Sequence, residues 1–340
     1  MSHMGRGLAV ILGLIVTTVA VADELLMKNG SKLIGTVVSA GEDKLVFDTP
    51  FAGEITVAMA NVTLVTTATP VTLLLDNGSV YRNQQIAATE NRLTVLTDKE
   101  NPVTFDVLDI ALVNPEPWRL GEGYKWFGTI SVALESERGN TDSDELDMAL
   151  ESIWRSLKDR FTIRGSWEID ETNGEKSKNN WKLRNKYDRF SKQDPDNYYG
   201  VQAYFEHDEF ADLDLRTMVG PYIGRQFFES DYLSLQGEVG LVYVDEQFDV
   251  AEDDDYWGSN WEFRLTSGII PRTELYLNQT GVLNLEDTGS SIVNTTVGIK
   301  LPVLYGFIVG AEAKYEYDGG AVDGVDTTDE TFNVRLGYEW

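Results

Sequence analysis

From residue 124 to the end of the chain, apolar and polar residues alternate in run after run, and none of these runs is long enough to be a membrane helix. In the last of them Phe332, Val334, Leu336, Tyr338 and Trp340 alternate with Asn333, Arg335, Gly337 and Glu339. Successive side chains of an extended strand point to opposite faces, so this segment carries one wholly apolar face and one polar face. Ile130, Val132 and Leu134 oppose Thr129, Ser131 and Glu135 in the same way. Phe161, Ile163, Trp167 and Ile169 oppose Thr162, Arg164, Glu168 and Asp170, and Phe307 to Tyr317 oppose Gly310, Glu312, Lys314 and Glu316. About twelve runs of roughly ten to thirteen residues have the length and period of strands that cross a membrane. Backbone groups in lipid need partners, which leaves helices or closed barrels, and this pattern selects the barrel. The predicted fold is all-β: an antiparallel transmembrane β-barrel of about twelve strands over residues 124–340. An edge strand of a secreted β-sandwich is the competing reading of the last run, but a sandwich rarely needs so many long runs in sequence.

Two further patterns point the same way. Seven of the eight tryptophans lie at or after Trp126, and Trp126, Trp154, Trp181, Trp257 and Trp340 fall at run ends, where an interfacial aromatic belt places them. Phe332, Tyr338 and Trp340 read as the aromatic end of the strand that closes the barrel. Connections alternate in length. Those at Leu157 to Asp159, Ser191 to Asp196, Phe227 to Asp231, Ile270 to Arg272 and Pro302 to Tyr305 are short. Those at Glu171 to Lys178, Glu246 to Trp257 and Asp318 to Thr328 read as longer and polar. Short periplasmic turns with longer outer loops are the pattern of bacterial barrels.

Lys+Arg 28 against Asp+Glu 56 gives a net charge of -28, which argues against a nucleic-acid partner and against a basic membrane-surface anchor. With no cysteine, disulfide frameworks, thiolate metal sites and cysteine nucleophiles are excluded. Residues 1–22 read as a signal peptide: Arg6, an apolar core from Leu8 to Val19, and Ala20-Val21-Ala22 before Asp23. The expected location is therefore the outer membrane, with membrane lipid and the barrel assembly machinery as partners.

Residues 23–113 contain a repeat, 24–65 and 72–113. Asn29-Gly30-Ser31 recurs as Asn77-Gly78-Ser79, and Lys44-Leu45 as Arg92-Leu93. Ile55 and Val57 correspond to Val103 and Phe105, and Val62, Leu64 and Val65 to Ile110, Leu112 and Val113. Asn-Gly between apolar runs signals a hairpin whose two turn residues both take positive φ. Each copy is expected to be a small SH3-like or Sm-like barrel in the periplasm, either binding a partner there or acting as a spacer. Asn114-Pro-Glu-Pro-Trp118 opens a linker over 114–123.

The polar face of the barrel strands carries charge of both signs. Arg164, Glu168, Lys182, Arg184, Lys186, Arg216, Glu262, Arg264, Glu312, Lys314 and Arg335 are expected to face the lumen, with Asp170 and Asp214 beside them. They either line a polar channel and set its ion preference, or pair off and stiffen a filled barrel. The acidic loops around Asp245 to Asp255 and Asp318 to Asp329 fit no calcium-loop spacing and read as solvated faces. Beyond His3 the chain has one histidine, His207, between Glu206 and Asp208. A serine hydrolase needs such a base beside a serine, but no nucleophile motif accompanies it, so a rim residue is expected. No catalytic residue, cofactor or metal site is expected. A phospholipase-like hydrolase is the alternative from a different class.

Gly139-Asn-Thr-Asp142, Asp159-Arg160-Phe-Thr-Ile-Arg164-Gly165, Asn180-Trp181, His207-Asp-Glu-Phe-Ala-Asp-Leu-Asp-Leu-Arg216 and Leu285-Glu-Asp-Thr288 together resemble the salt-induced outer-membrane protein family, YdiY-like, defined by a domain of unknown function. Leu25 to Gly30 (Leu-x-x-Lys-Asn-Gly) and Ala52-Gly53-Glu54-Ile55 resemble the leader module of some members. The resemblance implies an outer-membrane barrel linked by its family name to salt or osmotic stress. It supplies no catalytic residue or ligand.

Overall fold

The computed structural model describes residues 22–340 apart from 42–43, 90–91, 96–102, 107–108, 138–142, 231, 271 and 323. The signal-peptide segment 1–21 and the motif at 139–142 lie outside the described residues. The chain divides into two compact units, Met1–Glu116 and Pro117–Trp340.

In the first unit the two sequence copies do not close separately. The first copy supplies β1 (Asp23–Met27), β2 (Lys32–Gly41), β3 (Lys44–Thr49), β4 (Gly53–Ala58) and β5 (Val62–Thr66). The second supplies β6 (Val71–Leu75), β7 (Val80–Gln84), β8 (Ile86–Thr89), β9 (Arg92–Val95), β10 (Val103–Asp106) and β11 (Ile110–Val113). Strands β7 and β8 are the two halves of what β2 is in the first copy. The copies exchange pairings: β2 sets Gly41 and Ala40 against Leu112 and Val113 of β11, while β8 sets Thr89 and Ala88 against Leu64 and Val65 of β5. These two pairings correspond position for position under the repeat. One 11-stranded sheet results. It encloses one core, with Leu25, Val37, Leu45 and Phe47 from the first copy and Val71, Leu73, Ile86 and Val113 from the second. Segments of only about forty residues rarely bury enough surface to fold alone, and here the two share one core. The two Asn-Gly turns match each other but differ from the expected type. Only Gly30 and Gly78 take positive φ, 83° and 80°, while Asn29 and Asn77 accept hydrogen bonds from the Ser31 and Ser79 amides through their side chains.

Asp23 ties this unit together. Its fully buried carboxylate accepts the amides of Val37 (2.7 Å), Ala68 (2.8 Å) and Thr69 (3.0 Å), and the Thr69 hydroxyl. A buried carboxylate needs such a set of donors to offset its lost hydration.

The second unit is a closed barrel of twelve strands, each paired antiparallel with the next. They are β12 (Lys125–Glu137), β13 (Ser143–Arg155), β14 (Asp159–Thr172), β15 (Glu175–Phe190), β16 (Asn197–Asp208) and β17 (Leu213–Glu229). Then follow β18 (Leu233–Phe248), β19 (Asp254–Ser267), β20 (Glu274–Asn284), β21 (Ile292–Pro302), β22 (Phe307–Asp318) and β23 (Thr328–Glu339). Several strands outrun the expected length, because the polar ends read as loops continue the ladder. The long loop expected at Glu171 to Lys178 is instead a two-residue turn, Asn173-Gly174, with φ of 54° and 79°. Positive φ at both positions gives the turn whose twist matches paired strands.

Apolar side chains cover the outer surface, bounded by two aromatic girdles. At the short-turn end Trp126 stacks on Trp154 (6.1 Å), Trp154 meets Phe161 (5.8 Å), and Phe307 meets Tyr338 (5.5 Å). At the other end stand Trp167, Trp181, Tyr243, Trp257 and Tyr315, all exposed. β12 and β23 close the barrel through Thr129–Glu339, Ile130–Tyr338, Ser131–Gly337 and Val132–Leu336. Trp340 extends this by exchanging backbone hydrogen bonds with Gly128 (3.1 and 3.2 Å) and packing edge-on against Trp126.

Candidate functional site: the barrel lumen

Every second residue of a barrel strand points inward, and here those positions carry a connected network of ions. At mid-barrel Glu262 of β19 receives Arg164 of β14 (2.6 Å) and Lys186 of β15 (2.7 Å), with Arg184 at 3.7 Å. Arg164 also binds Glu151 of β13, which takes Arg264 of β19 at 2.8 Å. Lys186 binds Glu238 of β18 as well, and Glu238 accepts the Tyr198 hydroxyl at 2.9 Å. Lys186, Glu238 and Glu262 are almost wholly buried. Since β14 and β19 are far apart around the barrel, the Arg164–Glu262 and Arg264–Glu151 pairs cross the lumen.

Two further clusters extend toward the loop end. Lys314 of β22 binds Glu168 (2.5 Å) and Asp147 (2.9 Å), and Arg335 of β23 binds Glu312 (2.5 Å) and Asp147. Arg216 of β17 binds Glu206 (2.8 Å), Glu246 and Asp318 (2.6 Å), while Lys182 joins Glu316 and lies 3.5 Å from Glu206. Toward the short turns Arg160 binds Asp188 (2.5 Å), which also accepts the Tyr222 hydroxyl.

All eleven lumen residues expected from the sequence belong to this network, and each has a partner of opposite charge. The expectation was weighted toward cations. Their partners Asp147, Glu151, Glu206, Glu238 and Glu316 fall on the same alternation, as in Leu146, Met148 and Leu150 against Asp147 and Glu151, whereas Glu246, expected in a solvated acidic loop, is only 6% exposed at the end of β18 and binds Arg216. Asp214 does not face in. It is exposed at the loop end of β17, where the ladder slips between Leu213 and Leu215.

Part of the lumen is apolar, which alternation alone does not reveal. Tyr204, Met218, Val242, Val244, Tyr256, Val282 and Ile292 pack together as buried side chains. On β18 the segment Leu241-Val-Tyr-Val244 is apolar on both faces: Leu241 and Tyr243 are exposed while Val242 and Val244 are buried. A lumenal cavity of about 350 Å³ remains, lined among others by Thr129, Ser131, Glu151, Arg264, Tyr276 and Lys300.

His207 is not part of this network. Its Nδ1 lies 2.8 Å from the Asp214 carbonyl oxygen, and its ring stacks at 6.2 Å on Trp181. The neighbouring Glu209 binds the Asn179 amide and the Lys176 ammonium, which hold its carboxyl below the usual range. These contacts order the loop that follows β16. Among the described residues no group of three or more His, Asp and Glu side chains converges as a metal-holding set.

A family model described as "Protein of unknown function, DUF481" matches residues 130–340. The chain belongs to this family. The DUF481 match spans nearly all of the barrel. No curated protein matches the chain. Solved structures similar to it include the NanC porin, at 11% identity and a TM-score of 0.40, over 63% of this chain and 98% of that one. Another is the outer-membrane channel DcaP of Acinetobacter baumannii, at 11% identity and a TM-score of 0.32, over 94% of each chain.

Proposed function

We propose that this protein is an exported, integral outer-membrane barrel of the salt-induced, YdiY-like branch, whose lumen is held shut by its own charges. One observation carries the reading: every candidate pore-lining charge is spent on a protein partner, and several of those pairs bridge opposite walls. A conducting pore leaves its charge rings to water and passing ions. Here the ring charges neutralise one another, and an apolar cluster fills the space beside them.

The short-turn end is the periplasmic end, and the N-terminal unit is periplasmic with it. The role is structural and non-enzymatic: a stable outer-membrane anchor for that unit and its partner. Membrane lipid and the barrel assembly machinery are the partners the barrel itself requires. The His207 contacts argue against the hydrolase alternative, since its ring serves a carbonyl and a tryptophan rather than a serine.

Single-channel recording of the refolded mature chain in planar bilayers tests the reading. The native barrel should show no steady conductance, with heat-modifiable gel mobility confirming that it has folded. Removing Glu238 and Glu262 together as glutamines should produce openings, because Lys186 loses both of its carboxylate partners and Arg164 keeps only Glu151. Discrete cation-selective openings from the native chain would overturn the closed-lumen claim. In that case Lys182, Arg184 and Lys186 become the residues whose glutamine variants should shift selectivity.

A further inference from the structure

The lumen wall has a neutral stretch between two charged ones, and that stretch borders open space. β20 and β21 carry similar triplets, Asn278-Gln-Thr280 and Asn294-Thr-Thr296. Their antiparallel ladder sets Asn278 against Thr296 and Thr280 against Asn294. All four line the lumenal cavity of about 350 Å³, while Gln279 and Thr295 between them lie on the outer face and bond to each other at 3.3 Å. The flanking strands bring charge. Arg264 and Glu262 of β19 lie opposite Asn278 and Thr280, and Lys314 and Glu316 of β22 lie opposite Thr296 and Asn294. Each of these four ions is already paired with another residue.

The neutral side chains are not committed in this way. Among the described residues, Thr280, Asn294 and Thr296, with Thr129 of β12 in the same chamber, make no side-chain hydrogen bond within the protein. All four retain accessible surface. The Asn278 amide oxygen is enclosed, so the open polar surface is formed by the other three and Thr129. A hydroxyl offers one donor and two acceptors, and an amide offers two donors and an oxygen, so this surface presents both kinds side by side without charge. Toward the loops the chamber is bounded by the Lys182–Glu316 pair, which joins β15 to β22, and in the other direction it reaches Glu274 and Lys300 beside the short turns.

We propose that this chamber binds a neutral carbohydrate of one or two rings, entering from the short-turn end. Its vicinal hydroxyls donate to and accept from Thr280, Asn294, Thr296 and Thr129 in place of water. The cavity falls within the roughly 300–1,000 Å³ of small-molecule sites. A charged solute does not suit it. The fixed charges around the chamber already have their counter-ions, so an entering ion would lose hydration without gaining a partner. The site rests on the closed-lumen reading, because the pairing of the charges is what leaves the neutral groups as the free ones. Planar-bilayer recording tests that reading separately: steady conductance in a barrel that still binds sugar would remove the closure and leave the site.

In the test, the mature chain is refolded in lauryldimethylamine oxide, a detergent without a sugar headgroup, and saturation-transfer NMR follows glucose, maltose and glucuronate. Glucose or maltose should receive saturation from the protein, and glucuronate should not. Thr280→Val/Thr296→Val keeps the side-chain shape and removes both hydroxyls. It should weaken binding about tenfold, the loss expected of one or two neutral hydrogen bonds. Thr295→Val, the same change on the outer face of β21, should leave binding unchanged. Heat-modifiable mobility shows whether each variant has folded, and Asn294→Ala, which cannot overfill the lumen, makes the same comparison if the valine pair does not fold. No transfer to either neutral sugar would mean that the chamber holds water alone, and would overturn the proposal. Equal transfer to glucuronate, binding indifferent to the inward substitutions in folded protein, or an equal loss in Thr295→Val would overturn it as well.

Discussion

At the scale of single residues, Glu262 and Gly128 show how differently a position can matter. Glu262 is an acceptor shared by Arg164, Lys186 and Arg184, drawn from two strands on the far side of the lumen. Breaking one partner of a buried ion set strands the others, at about 3–5 kcal/mol. Glu262→Gln should therefore lower the urea midpoint of the vesicle-embedded barrel by that order, with the slope unchanged. Gly128 matters through space alone. A Cβ there would lie 2.2 Å from the Glu151 carbonyl oxygen and 2.7 Å from the Trp340 ring. Gly128→Ala should push Trp340 off the seam and reduce the heat-resistant folded band on gels. Gly165→Ala, whose nearest contact would be 3.6 Å, should leave that band intact.

At the scale of elements, turns and strand exchange decide what can fold by itself. Gly174 takes a φ of 79°, and an added Cβ would meet nothing within 4 Å, so a substitution there probes backbone strain alone. Gly174→Ala should cost roughly 1–2 kcal/mol, read as a lower unfolding midpoint with native-like circular dichroism. In the N-terminal unit each copy completes its sheet with a strand of the other, through β2–β11 and β5–β8. A fragment of residues 23–66 should accordingly be unfolded by circular dichroism, while 23–116 should fold cooperatively. Two independent barrels would instead give two folded halves.

At the scale of the whole molecule, the barrel combines an apolar outer belt with paired charges inside. Osmotic or salt stress changes ionic strength, and exposed ion pairs weaken with salt while buried ones are screened much less. The folded state should therefore keep its lumen network in high salt. Heat-modifiable mobility of the native barrel is expected to be the same at low and at molar salt. A loss of the folded form in molar salt would show that the network is open to solvent.

The twelve-strand barrel was legible in the sequence because the period-two alternation that makes a strand two-faced is a local property of the chain. The inward position of Arg164, Lys186, Glu262 and Arg335 followed from the same parity. Their partners did not. Which acid meets which base depends on strand tilt and on contacts across the lumen, as with Arg164 of β14 and Glu262 of β19, and no local pattern encodes them. The apolar half of the lumen was hidden because Leu241-Val-Tyr-Val244 does not alternate. The repeat in residues 24–113 was visible, yet the exchange of strands between its copies was not, since pairing within or between copies uses the same residues.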